Sequence, residues 1–208
     1  QANINIPAGS NRAAGLVVRY GSSGPNSFYL AEVHAPTGIG NQVHVNLYRQ
    51  SLGQLTLLTR ATVPAGEAAG AFRLEAVGSS LKVFLNGKLV AFANDTALSG
   101  PGDVGLRAAG PAGSVGFSNI QYQPIQVHNA TLPFSDDFST NYSAANMEQL
   151  TREYVEQGAS NFKVVQASGT VTNNSNVAVA TLRGVSLTDQ VVTADLNVPA
   201  GTGSSVGL

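Results

Sequence analysis

Apolar and polar residues alternate along many short stretches of this chain, and glycine, proline, asparagine or aspartate separates each stretch from the next. Alternation with a period of two is typical of β-strands with one buried face, and the separating residues are typical of turns. The sequence therefore predicts an all-β protein. The predicted strands cover residues 3–6, 15–20, 27–34, 42–49, 54–59, 71–77, 81–85, 88–93, 103–108, 114–123, 162–166, 170–172, 177–182 and 190–198.

The clearest turn signal is Asn86-Gly87, which separates the predicted strands 81–85 and 88–93. A two-residue type I′ turn needs a positive φ at both of its central positions, and asparagine followed by glycine adopts this conformation readily. We therefore expect a tight β-hairpin at this point.

One stretch is compatible with a helix. Within residues 143–157, Met147, Leu150 and Tyr154 are spaced by three and four positions, which would place them on one helical face. The competing interpretation is a strand from about residue 150 onward, and we favour the strand.

The beginning of the chain recurs at its end. Residues 2–16 match residues 194–208 without a gap, each pair lying 192 positions apart, and seven of the paired residues are identical. Two similar turns that arose independently are the alternative explanation, but a constant offset favours a module that repeats about every 192 residues.

The amino-acid composition indicates in which environment the protein functions. Hydrophobic residues make up 43% of the chain and charged residues only 11%, which suits an extracellular or cell-surface protein better than a disordered tail. The net charge of −1 gives no general attraction to nucleic acid or to anionic membranes, and the absence of cysteine excludes disulfides and thiolate metal sites. We expect no membrane insertion, and we expect any secretion signal to lie outside this segment.

Two parts of the sequence resemble a concanavalin A-like (laminin G-like) jelly-roll domain. Residues 81–90, 95–106 and 115–120 are similar to its closing strands, although Ser118 stands where such domains usually carry an acidic residue. Asp136-Asp137-Phe138-Ser139, followed by residues 162–165, is similar to its opening. The resemblance implies a two-sheet antiparallel jelly-roll sandwich.

The resemblance implies an unusual domain order. Residues 1–123 would form the closing two-thirds of a module, residues 124–134 a connector, and residues 135–208 the opening third of the same or the next module. The opening third can fold back on its own chain, as in a circular permutation, or pair with a neighbouring module and so build an open fibre. The residues expected to exchange strands are Asn3, Ile4, Asn5, Ile6, Asp195, Leu196, Asn197 and Val198.

The doubled strand leads to the first functional hypothesis. One copy has no place in a single domain, and a surplus strand is what donation to a neighbour requires. The sequence thus favours a non-enzymatic structural repeat module or subunit of an extracellular fibre, sheath or adhesin, with identical or similar modules as its partners.

The alternative function is a carbohydrate-binding, lectin-like module with a polysaccharide partner. Alternation places several polar residues of the strands 27–34 and 42–49 on one face, opposite an apolar core face. An ordinary solvated face is the competing interpretation, since the chain lacks tryptophan. The candidate carbohydrate-binding residues are Arg19, Glu32, His34, His44, Asn46 and Tyr48.

Catalysis is not expected. Glycoside hydrolysis needs two carboxylates that flank the scissile bond, and Glu32 is the only acid that alternation places on this face.

Calcium is the expected structural cofactor, and no other is expected. Four aspartates lie in turns containing glycine or serine, and hard oxygen ligands suit Ca²⁺. Sandwiches of the resembled kind often hold Ca²⁺ where the first and last strands meet, whereas turn capping is the alternative role of these residues. The candidate metal ligands are Asp95, Asp103, Asp136 and Asp137.

Overall fold

The structure is a computed structural model of the 208-residue chain. It describes residues 1–38, 40–125, 127–138, 153–158, 160, 162–164, 171–173, 178–196, 198, 200, 201, 203 and 205–208. The strands are β1 (Ala2–Asn5), β2 (Arg12–Tyr20), β3 (Phe28–Ala35), β4 (Gln42–Ser51), β5 (Gln54–Pro64), β6 (Gly70–Val77), β7 (Ser80–Leu85), β8 (Lys88–Asn94), β9 (Asp103–Ala109), β10 (Gly116–Ser118), β11 (Tyr154–Gln157), β12 (Phe162–Val164), β13 (Val171–Asn173) and β14 (Val179–Leu182). A short 3-10 helix spans Ala65–Glu67.

Two five-stranded antiparallel sheets form the sandwich. The front sheet has the strand order β5-β4-β3-β2-β9, and the back sheet has the order β10-β1-β6-β7-β8. These sheets confirm the predicted all-β, two-sheet jelly-roll sandwich. The assignment to the concanavalin A-like group stays a prediction.

The core lies between the two sheets and follows the alternation of the sequence. The predicted inward residues of β3 and β4 are fully buried, and they pack with inward residues of β1, β6 and β7. Burying such aliphatic and aromatic side chains supplies the main stabilising term of a sandwich. The buried residues of β3 and β4 include Tyr29, Ala31, Val33, Val43, Val45 and Leu47.

The hairpin at Asn86-Gly87 is confirmed. Asn86 has a φ of 51° and Gly87 a φ of 79°, as a type I′ turn requires. Leu85 and Lys88 pair directly across the turn.

The first copy of the repeat is a central strand. β1 lies between β10 and β6, and Ile4 pairs with both Phe117 and Gly70. The second copy forms no strand in its described residues, so the strand predicted over residues 190–198 is wrong there; Asn197 lies outside the described residues. An alternating stretch becomes a strand only where a neighbour offers backbone partners, and β1 already occupies that position.

The later part of the chain forms smaller sheets. β11 pairs with β14 and β12 pairs with β13, and neither pair joins a five-stranded sheet. The favoured strand is confirmed over Tyr154–Gln157, so no helix continues to residue 157, whereas residues 143–152 lie outside the described residues. The ten strands of the two large sheets come from residues 2–118. The division into closing part, connector and opening part stays a prediction.

A buried ion pair attaches this later part to the back sheet. Lys82 of β7 donates to Glu156 Oε2 at 2.7 Å and to the carbonyl oxygen of Ser160 at 2.8 Å. Both charged side chains are almost fully buried. The contact lies on the outer face of the back sheet, because Leu81 and Val83 on either side of Lys82 point into the core.

Among the residues that the structure describes, no helix has the length and apolarity needed to cross a membrane.

Candidate functional site

The outer face of the front sheet collects most of the predicted sugar-binding residues. Glu32 pairs with Asn46, His34 pairs with His44, and Leu30 pairs with Tyr48 across β3 and β4. Their side chains point away from the core, because the intervening residues of both strands lie in it. The surface formed by Glu32, His34, His44, Asn46 and Tyr48, together with Arg60 and Arg107, is called the polar face below.

The neighbouring strands complete one row of the polar face. Arg60 of β5 lies opposite Asn46, and Gly15 of β2 lies opposite both Glu32 and Arg107. The five positions follow one another across all five strands. The row therefore combines one carboxylate with two guanidinium groups.

The polar groups of this row are held by one another. Arg107 Nη1 donates to Glu32 Oε2 at 2.6 Å, Asn46 Nδ2 donates to Glu32 Oε1 at 3.4 Å, and Arg60 Nε donates to Asn46 Oδ1 at 2.7 Å. Glu32 and Asn46 are buried. Burial without these partners would be costly, so the network fixes the side chains in place.

Gly15 makes the ion pair of Arg107 and Glu32 sterically possible. β2 lies between the two strands that carry them, and Gly15 presents no side chain at the crossing point. A Cβ at Gly15 would lie 2.6 Å from Leu30 Cδ1 and 2.9 Å from the carbonyl oxygen of Ala31. The absence of a side chain at this position thus allows Arg107 to reach across β2.

A hollow of about 370 Å³ adjoins this row at the edge of the front sheet. One wall carries Tyr20 and Phe28, whose rings stack with centroids 5.7 Å apart and planes 16° apart. Tyr20 is 40% exposed, and its hydroxyl donates to Asn26 Oδ1 at 2.8 Å. The hollow, called the aromatic hollow below, is lined by Val17, Tyr20, Phe28, Asp103, Val104, Gly105, Leu106 and Arg107.

The placement of Arg19 on the polar face is wrong. Arg19 donates to the carbonyl oxygens of Leu98 and Gly78, each at 2.8 Å, and its guanidinium lies 5.9 Å from the ring centre of Tyr29 in the core. The cause is a bulge in β2, where the register with β9 shifts between Val17 and Tyr20 and Arg19 has a φ of 55°. An extra residue in a strand reverses the alternation, and Tyr20 therefore reaches the outer face in place of Arg19.

His34 and His44 pair with each other in the row next to that of Glu32 and Asn46. His34 Nε2 lies 3.1 Å from Asn11 Oδ1, and His44 Nδ1 lies 3.3 Å from Thr62 Oγ1. Burial of the ring, and then the positive charges of Arg60 and His34, lower the pKa of His44 from its ordinary value of 6.5. A neutral imidazole at neutral pH both donates and accepts hydrogen bonds.

Asp95 serves a structural network. Its Oδ1 accepts from the Tyr29 hydroxyl at 2.6 Å and from the Ala97 amide at 2.9 Å, and its Oδ2 accepts from Arg49 Nη1 at 2.6 Å. Burial and the bond to Asp95 raise the pKa of Tyr29 to about 12. A guanidinium at this distance competes with a cation for the carboxylate, so the surroundings of Asp95 do not fit Ca²⁺.

The other three candidate metal ligands are not brought together with Asp95. Asp103 lines the aromatic hollow, and Asp136 Oδ1 accepts from the Phe138 amide at 2.8 Å, which is a turn-capping bond. Within the described ranges, no group of three or more histidine, aspartate or glutamate side chains is placed to hold a metal ion. Calcium binding by Asp103, Asp136 or Asp137 stays a prediction.

Sequence reasoning missed four residues of this region. These are Arg60, Arg107, Tyr20 and Phe28, to which the sequence analysis assigns no role. Arg60 and Arg107 reach the polar face only through the pairing of β5 and β9 with β4 and β2, which local alternation does not specify. The one available signal was Gly15, because an isolated glycine within a strand indicates close approach of another group.

No protein-family profile matches the sequence, and no curated protein matches it significantly. Among solved structures, the chain is similar to a carbohydrate-binding module, CBM66, from Bacillus subtilis, with 25% sequence identity over 57% of this chain and 69% of that chain, and a TM-score of 0.46.

Proposed function

We propose that this protein is a non-catalytic carbohydrate-binding module of an extracellular or cell-surface protein, and that its sugar ligand binds in the aromatic hollow. The observation that carries the proposal is the combination of an aromatic wall and a fixed guanidinium in one hollow. Tyr20 and Phe28 form the wall, and Arg107 is held by its ion pair with Glu32.

The chemistry of the hollow suits a sugar. A pyranose or furanose ring offers C–H groups to an aromatic surface, while its hydroxyls pair with charged donors and acceptors. Arg107 supplies donors and Asp103 supplies an acceptor at the same hollow. Because the Glu32 bond already orders Arg107, binding costs less side-chain entropy there.

The arrangement of the carboxylates of Glu32 and Asp103 favours a sugar-binding role over glycoside hydrolysis. Both oxygens of Glu32 accept hydrogen bonds, and one of them carries the ion pair with Arg107. Hydrolysis needs two carboxylates that are available on either side of the scissile bond. Glu32 is engaged, which leaves Asp103 as the accessible acid of the hollow.

Isothermal titration calorimetry against a panel of soluble polysaccharides and oligosaccharides, followed by variants, tests this proposal. Arg107→Gln and Tyr20→Ala are each expected to weaken binding at least about tenfold, which corresponds to about 1.4 kcal/mol. The controls are Lys88→Gln, which removes another positive charge, and Tyr122→Ala, which removes another tyrosine. Both residues are exposed and lie outside the lining of the hollow, so the affinity should stay unchanged. His44→Ala and Tyr48→Ala report whether the ligand extends along the polar face. The proposal fails if no glycan binds, or if neither hollow variant changes the affinity.

A second candidate is the structural role, as a repeat module or subunit of an extracellular fibre, sheath or adhesin. The observation that favours it is the second copy of residues 2–16 at residues 194–208, whose described residues are exposed. Such a role requires copies of the sandwich to associate, and it is compatible with a sugar-binding surface on the front sheet.

A further inference from the structure

The two copies of the repeated sequence have opposite environments. Ile4 is 2% exposed, whereas its counterpart Leu196 is 53% exposed; Leu16 is 6% exposed, whereas its counterpart Leu208 is 74% exposed. The same kinds of apolar side chain therefore lie in the core near the start of the chain and in solvent near its end. Exposed apolar residues in such a series indicate a surface that another molecule covers.

Two turn positions of the second copy have the same backbone conformation as their counterparts in the first. Gly9 and Gly201 have φ values of 62° and 76°, and Asn11 and Gly203 have φ values of 54° and 65°. Both pairs are related by the same offset of 192 residues. Two positive φ values of the turn that leads from β1 into β2 thus recur near the end of the chain.

The second copy also meets the strictest steric requirement of the β2 position. Gly15 has no space for a Cβ, because Leu30 Cδ1 and the Ala31 carbonyl oxygen lie too close. Its counterpart is Gly207. A side chain at that position would be free in the exposed segment and would be excluded only in the sandwich.

We propose that residues 194–208 are a donor segment that takes the position of residues 2–16 in a second copy of this sandwich. Leu196 would replace Ile4 opposite Gly70 and Phe117, and Leu208 would replace Leu16 in the second copy's β2. Repetition of this contact joins copies head to tail. The inference goes beyond carbohydrate binding and does not depend on it.

The donor segment fits this position less closely than the resident one. Val198 has one methylene fewer than Ile6, and Val206 has two methyl groups more than the fully buried Ala14. Cores resist both losses and gains of volume. The resident copy therefore keeps its place in an isolated chain, and donation is detected most readily when the resident copy is weakened.

The first test weakens the resident copy in the full chain. Ile4→Asp places a carboxylate in the core, so the sandwich can be completed only by residues 194–208. The variant is expected to unfold cooperatively and to form dimers or longer oligomers by light scattering. Adding Leu196→Asp should abolish both properties, whereas adding Val191→Asp, at an exposed residue outside the repeat, should abolish neither. A folded monomer, or an Ile4→Asp chain as unfolded as the double variant, overturns the proposal.

The second test traps the contact with a disulfide. Because the chain has no cysteine, any disulfide that forms must join introduced residues. Asn3 lies opposite Ala71 in the sandwich, so Asp195 would lie opposite Ala71 of the acceptor. Paired residues of neighbouring strands lie within the span of a disulfide. Asp195→Cys with Ala71→Cys should give disulfide-linked oligomers under oxidising conditions, more so with Ile4→Asp, while Asn3→Cys with Ala71→Cys should close within one chain. Closure of the second pair without linkage of the first overturns the proposal.

The two proposals fail in distinguishable ways. Leu196→Asp removes the donor contact and leaves the aromatic hollow untouched, so glycan affinity should persist in that variant. Arg107→Gln alters the hollow and should leave the disulfide-linked oligomers unchanged.

Discussion

At the scale of single residues, the polar face depends on the absence of a side chain at Gly15. The ion pair of Arg107 and Glu32 spans β2 at this position, and any side chain there would lie against Leu30 and the backbone of Ala31. The site therefore depends on a residue that has no polar group.

We expect Gly15→Ala to lower the free energy of unfolding by about 1–3 kcal/mol, the usual cost of overpacking a filled core. The matched control is Gly66→Ala, because a Cβ at Gly66 has no neighbour within 4 Å. Urea denaturation of the two variants and the parent checks this expectation. Equal stabilities of the two variants would contradict it.

His44 gives the second residue-scale prediction. The folded protein lowers the pKa of His44 from 6.5, so it disfavours the protonated ring. The associated stability is complete above about pH 6.5, and it declines as the pH falls from there through the lowered pKa. The effect is small because the ring is only partly buried.

NMR titration of the His44 ring protons is the direct measurement. The midpoint should lie below 6.5 and should move upward in Arg60→Gln, since that change removes a neighbouring positive charge. A midpoint at or above 6.5 in the parent would show that burial and Arg60 do not act as described.

At the scale of elements, the bulge in β2 decides which side chains line the aromatic hollow. Strict alternation places Arg19 outside and Tyr20 inside, and the extra residue between Val17 and Tyr20 exchanges them. The aromatic wall of the hollow therefore depends on one irregularity of the strand.

A second element-scale feature is the attachment of the β11–β14 pair to the back sheet through Lys82 and Glu156. Lys82→Met is expected to cost about 3–5 kcal/mol, because it removes one partner of a buried ion pair. Lys82→Met combined with Glu156→Leu should recover part of this loss, since the second change also removes the buried carboxylate. Thermal unfolding of the two variants provides the comparison, and a double variant no more stable than the single one would contradict the ion-pair argument.

At the scale of the whole molecule, we expect the sandwich, and not the segment after residue 189, to determine the free energy of unfolding. The described residues from 190 onward are exposed and form no strand, whereas β1 pairs on both sides. We expect deletion of residues 190–208 to change the free energy of unfolding by no more than about 0.5 kcal/mol, the range typical of surface changes. Deletion of residues 1–16 is the control and should be strongly destabilising. Similar losses in both deletions would mean that the terminal segment packs on the sandwich of its own chain.

Most of the sandwich could be predicted from alternation and turns. The strands of both large sheets, the inward faces of β3 and β4 and the Asn86-Gly87 hairpin follow from neighbouring residues, whose preferences act locally. The repeat at an offset of 192 is likewise a property of the sequence alone. Five of the six candidate sugar-binding residues lie on the polar face, because the alternation of β3 and β4 places them there.

The other features of the fold and of the site could not be predicted from local patterns, because they depend on which strands pair. Arg60 and Arg107 join the polar face because β5 and β9 lie beside β4 and β2, and Arg19 leaves it because the register with β9 shifts. The described residues of the second copy stay out of the sheet although the pattern of this copy equals that of β1. A strand needs hydrogen-bond partners on its neighbours, and those partners are assigned only by the tertiary structure, which gives the position between β10 and β6 to the first copy.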